Sequence, residues 1–163
     1  MSNDIAQYLD KVRGRTLRVV HTIPPDKLEW SPKAGRFTLG DLARHIASAG
    51  RCVFVENALG RPSRYPGHGR ELADGVGAVV AYLERLHAES LALLGALSTE
   101  RLEAKVTTLG GTEVRAWKLL RLMAEHEAHH RGQIYFALGL LDVPTPPLYG
   151  MTEPEVAARS RRA

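Results

Sequence analysis

The chain holds a single cysteine, Cys52, in 163 residues. One thiol excludes an internal disulfide and any zinc cage built from several cysteines. With Val53 and Val55 beside it, Cys52 reads as a small buried hydrophobe. Aromatic residues make up only 6% of the sequence, too few for the stacking platforms that bind single strands. No stretch approaches the ~18 apolar residues of a membrane span, and the N-terminus shows no signal-peptide core, so the chain reads as cytoplasmic with no membrane partner. The net charge of +4 comes mostly from Arg159, Arg161 and Arg162, which leaves the body close to neutral. That is a solvated basic tail, and no specific nucleic-acid partner is expected. What remains is an ordinary globular composition, 44% hydrophobic and 25% charged, enough for one domain spanning residues 1–163.

Four long helical patterns fill most of that length. The first runs from about Asp4 to Thr22, with Ile5, Leu9, Val12, Thr16 and Val19 on one stripe, and Pro24-Pro25 ends it. A loop carrying Trp30, Pro32 and Gly35 follows. The second pattern opens at Thr38, with Asp41 placed to complete a capping box, and continues to about Leu59. The third covers roughly Glu71 to Leu97, weakened at its start by Gly75 and Gly77. The fourth spans Ala116 to Leu141. Before it, Val106 to Val114 reads as a hairpin around a Gly-Gly turn of the primed type. Thr152-Glu-Pro-Glu155 caps a short terminal helix that leads into the tail at 152–163. The fold class is all-α: a four-helix bundle with a hairpin before the last long helix and a short C-terminal helix.

The fourth pattern contains His126-Glu-Ala-His-His130, followed by Arg131-Gly-Gln133. Helical residues four apart lie about 40° apart on one face, so His126 and His130 project side by side. With His126 at 0°, Leu119, Met123, Ile134, Ala137 and Leu141 fall between about 20° and 80°, and His130 sits at about 40° within that apolar sector. Two imidazoles on a core-facing stripe need polar partners, because burial without them costs several kcal/mol. One divalent transition metal satisfies both. The string also matches the zincin signature His-Glu-x-x-His, but the metzincin continuation is missing and no downstream glutamate helix follows, which excludes a protease.

A catalytic centre of this kind usually has three protein ligands and an open position. His45, on the line Leu42, His45, Ala49 of the second helix, is the leading third ligand; His87, on an inward stripe of the third helix, is the alternative. His129 falls at the polar margin, and His21 and His68 sit at a helix end and in a Gly-rich loop, where solvation is the default. Glu127, near 100° on the wheel, is the candidate catalytic residue, as a base or as the partner of a ligand histidine; pairing with Arg131 one turn on is the competing reading. Gln133 faces inward, and Arg131 is expected to anchor another helix. Trp117, Ala124 and Tyr135 form a second apolar strip near 180°, expected to meet a second copy in a homodimer, or else the N-terminal loop or C-terminal tail.

Leu42-Ala-Arg-His45-Ile in the second helix, with His126-Glu-x-x-His130-Arg-Gly-Gln-Ile in the fourth, resembles the DinB/YfiT superfamily. Leu28-Glu-Trp-Ser-Pro32, Phe37-Thr-Leu-Gly-Asp41 and Leu148-Tyr-Gly150 extend the likeness over nearly the whole chain. The resemblance implies a four-helix bundle, often dimeric, with a divalent metal on three histidines that map onto His45, His126 and His130. It also implies activities such as S-transfer with bacillithiol or mycothiol, or mycothiol-dependent isomerisation. The expected cofactor is one divalent ion, nickel or zinc in the first place, with iron or manganese as alternatives. Three functions follow: a metal-dependent transferase joining a small-molecule thiol to an electrophile, a hydrolase using metal-activated water, or a non-enzymatic metal-binding protein.

Overall fold

A computed structural model describes residues 2–161; Arg162 of the expected tail lies outside the described residues. Helix α1 (Ser2–Val20) is followed by a connection at 21–38 that contains one 3₁₀ turn, Pro25–Lys27. Helix α2 runs over Leu39–Ala49, widens into a π-helical stretch at Gly50–Val55 and closes with a last turn at Glu56–Ala58. Helix α3 (Val76–Gly95) and a five-residue α4 (Thr99–Glu103) lead to a hairpin of β1 (Lys105–Thr107) and β2 (Glu113–Arg115). Helix α5 (Ala116–Leu140) and a short α6 (Glu153–Ser160) complete the chain.

The capping chemistry behaves as the residue types require. Asp41 N–H donates to Thr38 Oγ1 at 2.9 Å while Thr38 N–H donates to the Asp41 carboxylate at 3.0 Å, satisfying two otherwise unpaired donors. Thr152 and Glu155 repeat the arrangement at α6, with Thr152 N–H donating at 2.7 Å. Two local expectations need correction, and one short helix was not expected. Helix α3 starts at Val76 because Gly75 takes φ +88, a conformation that ends helical winding before it. The hairpin turn is not of the primed type. Gly111 N–H bonds Thr108 O, Thr108 N–H bonds Thr112 O, and of the two glycines only Gly111 has positive φ, the pattern of a three-residue loop with a glycine bulge. Helix α4, capped by the Ser98 hydroxyl accepting from Arg101 N–H, is too short to show a periodicity.

Helix α1 packs against α3 and α5, and α2 packs against the same two. Sequence neighbours α1 and α2 therefore face each other across a diagonal, so residues 21–38 cross an end of the bundle. Leu28 is buried there, and Trp30 and Phe37 pack on the core.

The core has two apolar clusters. One gathers Val19, Leu42, Ile46, Leu83, Ile134 and Leu138; the other Leu9, Val12, Val55, Leu94, Leu120 and Met123. Between them every long helix turns polar at one level: Arg13 and Thr16 on α1, Ser48 on α2, His87 and Ser90 on α3, Glu127 and Arg131 on α5, all buried. His45, His126 and His130 lie at that level along α2 and α5.

Candidate metal centre

His45 comes from α2, and His126 and His130 from successive turns of α5, which places all three at the α2–α5 seam. One ligand nitrogen from each lies within 4.8 Å of the others, and no other described His, Cys, Asp or Glu joins the group. The Nε2 atoms of His45 and His126 are 3.0 Å apart. Two nitrogens bound tetrahedrally at 2.0–2.1 Å would sit about 3.3 Å apart, so these rings stand close to a binding arrangement. The ring centroids are 4.5 to 4.9 Å apart.

Electrostatics agree with a cation-binding role. Burial, followed by the neighbouring His130 and His126, lowers the His45 pKa from 6.5 to about 4. Burial, then His130, takes His126 to about 4 as well. His130 is also lowered by burial, with the Gln133 hydrogen bond acting in the opposite sense. Near neutral pH all three rings are uncharged, which is the form that ligates a metal.

The outer nitrogens of His130 and His45 are held. His130 Nδ1 is 2.7 Å from Gln133 Oε1; a carbonyl oxygen only accepts, so Nδ1 carries the proton and Nε2 presents its lone pair. His45 Nδ1 lies 2.6 Å from Tyr65 Oη, and Tyr65 Oη lies 3.2 Å from His68 Nδ1. With Tyr65 donating to His68 and accepting from His45, His45 Nε2 is likewise left free for an ion. Such outer contacts fix tautomer and ring orientation.

Both loops flanking the seam are pinned by one side chain. Arg44, fully buried beside His45, donates to Glu29, Asp41, His68 O and Ala73 O at 2.7 to 3.0 Å. It ties residues 21–38 and 59–75 to α2, and so places Phe37 and Tyr65. Phe37 packs on His68 and His130 at 4.4 and 6.3 Å between centroids, and Phe54 packs on His126 at 5.2 Å. A cavity of about 680 Å³ opens beside His130, walled by Trp30, Phe37, Leu39, Leu42 and Phe136.

Several sequence expectations change here. Glu127 does not face the cluster. Its carboxylate accepts from Arg13 Nε at 3.0 Å, Arg13 Nη2 at 3.0 Å and Thr16 Oγ1 at 2.6 Å. A buried carboxylate needs a countercharge, and at 100° around the helix from His126 the nearest one is on α1, not Arg131. Arg131 instead donates to Val12 O at 3.2 Å and Thr16 Oγ1 at 3.4 Å, anchoring α5 to α1 as expected. His87 is buried elsewhere, with Nε2 2.9 Å from Asp10 Oδ1. His68, read as solvated, is partly buried against Phe37 and His45. His129 is exposed, and His21 is exposed. Cys52 is only half-buried, beside Arg51, Arg61 and Arg64 in a second cavity. Ala124 is core, Trp117 packs on it while staying partly exposed, and the partly exposed Tyr135 donates to Pro146 O at 2.9 Å, so the C-terminal segment meets one end of the strip near 180°. Tyr65 and the altered role of His68 escaped the sequence reading because a loop has no periodicity to aim a side chain.

A family model described as the DinB superfamily matches residues 8–134. No curated protein matches the chain significantly. Among solved structures, a DinB-like protein from Bacillus cereus is similar at TM-score 0.73 and 18% identity, over 88% of this chain and 94% of that one. A DinB-like protein from Bacillus subtilis is similar at TM-score 0.70 and 18% identity, over 89% and 97%. YfiT from Bacillus subtilis, described as a probable metal-dependent hydrolase with an unusual four-helix bundle topology, is similar at TM-score 0.70 and 17% identity, over 88% and 89%.

Proposed function

The chain belongs to the DinB superfamily, and from that premise we propose that it binds one divalent transition metal through His45, His126 and His130 and joins a low-molecular-weight thiol to an electrophile there. The observation that carries this is the convergence of three neutral imidazoles with no fourth His, Cys, Asp or Glu among the described residues, beside a largely apolar cavity. That donor set suits nickel or zinc, with iron or manganese as alternatives. An ion on three neutral ligands keeps its full charge and supplies one chemical effect, acidification of a thiol or water in its open position.

The residues around it favour the thiol. The carboxylate best placed in sequence to act as a base, Glu127, is engaged by Arg13 and Thr16. A thiol needs no such base once acidified. His45 and His130 are oriented by Tyr65 and Gln133, and Phe37 and Phe54 shield the cluster's flanks. The second reading, hydrolysis by activated water, is favoured by the description of YfiT.

Elemental analysis of untagged protein comes first. His45→Ala, His126→Ala and His130→Ala should each lose metal, while His21→Ala retains it. The loaded protein is then offered bacillithiol, mycothiol and glutathione with a generic electrophile, beside His130→Ala. Metal-dependent conjugation supports the transferase. Ester or amide turnover without thiol establishes the hydrolase instead, and silence with a raised melting temperature leaves a structural metal. Full metal retention in both His126→Ala and His130→Ala would refute the site. The homodimer rests on the family resemblance and the partly exposed strip near 180°, and sedimentation at micromolar concentration decides it.

A further inference from the structure

We propose that the cavity beside His130 seats the organic body of the substrate and selects a small carboxylate whose other end is aromatic or branched and apolar. This rests on the reading of the metal site above, and names the chemical class of the substrate's non-reacting body.

The volume of about 680 Å³ falls within the range of ligand sites that enclose small organic molecules. Its lining includes the aromatic residues Trp30, Phe37 and Phe136 together with Leu39 and Leu42. Phe136 is 69% exposed, an apolar ring left in water at the cavity's edge. Burying such a ring against a ligand is favourable by roughly 25 cal/mol per Å² of apolar surface.

The charge of the lining is one-sided. Arg36 is the one permanently charged residue that lines the cavity, and no carboxylate does. The Arg36 side chain makes no hydrogen bond or ion pair among the described residues. Glu29, on the same connection, does not line the cavity, and both its oxygens accept from the buried Arg44. A cation with no internal partner, in a wall without acids, complements an anionic ligand.

The contact of Phe37 with His130 sets which end of the ligand meets the histidines. Arg36 precedes Phe37, whose ring packs on His130. A carboxylate at Arg36 with its apolar body along Phe37 and Trp30 extends toward the histidine cluster, where the reacting end belongs.

The test uses metal-free protein and two probes of nearly equal shape, 4-phenylbutyrate and the neutral 4-phenylbutanol. Binding is followed by Trp30 fluorescence, with Trp30→Phe reporting the Trp117 background. The acid should saturate the signal and bind about fivefold more tightly than the alcohol, the upper end for a solvent-exposed ion pair. Arg36→Gln should abolish that preference, and Phe136→Ala should weaken both probes alike. Arg36 is exposed, so its replacement leaves the fold intact, and metal affinity should be unchanged in both variants. Equal affinity for acid and alcohol, or no saturable binding of either, overturns the proposal. So does a second copy of the chain that closes the cavity in sedimentation and excludes both probes. Loss of metal binding with acid selectivity intact would refute the metal reading while supporting this one.

Discussion

Replacing Glu127 by alanine separates a structural role from a catalytic one. The Glu127 and Arg13 side chains are 4% and 2% exposed, and the carboxylate holds Arg13 Nε and Nη2 together with the Thr16 hydroxyl. Arg13 Nη1 already has no partner among the described residues. Removing the carboxylate strands a guanidinium between two apolar clusters. Breaking a buried pair in this way costs about 3–5 kcal/mol. With a urea dependence of about 2 kcal/mol per molar, the unfolding midpoint should fall by about 1.5–2.5 M. The measurement belongs in chelator, because bound metal would add its own stabilisation to the native state. Adding Arg13→Met to Glu127→Ala should restore much of the loss, since removing both charges is close to neutral. The companion variant, Glu127→Gln, should keep metal affinity and turnover. A loss of only about 1 kcal/mol in Glu127→Ala, with no recovery in the double variant, refutes the argument that this pair anchors α5 to α1; removal of a general base would instead lower turnover by about 10²–10⁴ with little change in stability.

Metal-free protein should titrate His45 and His126 at about pH 4, read from the imidazole C–H resonances, and midpoints near 6.5 would contradict the burial argument. The sign for stability follows: the unfolded chain binds more protons between about pH 4 and 6.5, so stability rises with pH across that window and falls on acidification. Tyr65→Phe removes the acceptor for His45 Nδ1, and should weaken metal binding by about tenfold in a competition titration. His21→Ala should leave affinity unchanged, and wild-type affinity in Tyr65→Phe would show that the loop does not position His45.

Four amphipathic helices, the Thr38 and Thr152 caps and the 126/130 pair were legible in the sequence because each depends on residues within a few positions of one another. Helical periodicity aims a side chain to within a sector, and that was enough to bring His45 forward as a partner for His126 and His130. Tertiary structure decided the rest. The 100° that separates Glu127 from His126 could not say which neighbour lay there; the diagonal placement of α1 and α2 put Arg13 opposite it and took it out of the site. The same diagonal drew residues 21–38 across the bundle, and Arg44 fastened them and the Tyr65–His68 loop around the histidines through contacts up to 29 residues apart in sequence. Local spacing specifies which face a residue occupies, while only packing specifies what that face meets.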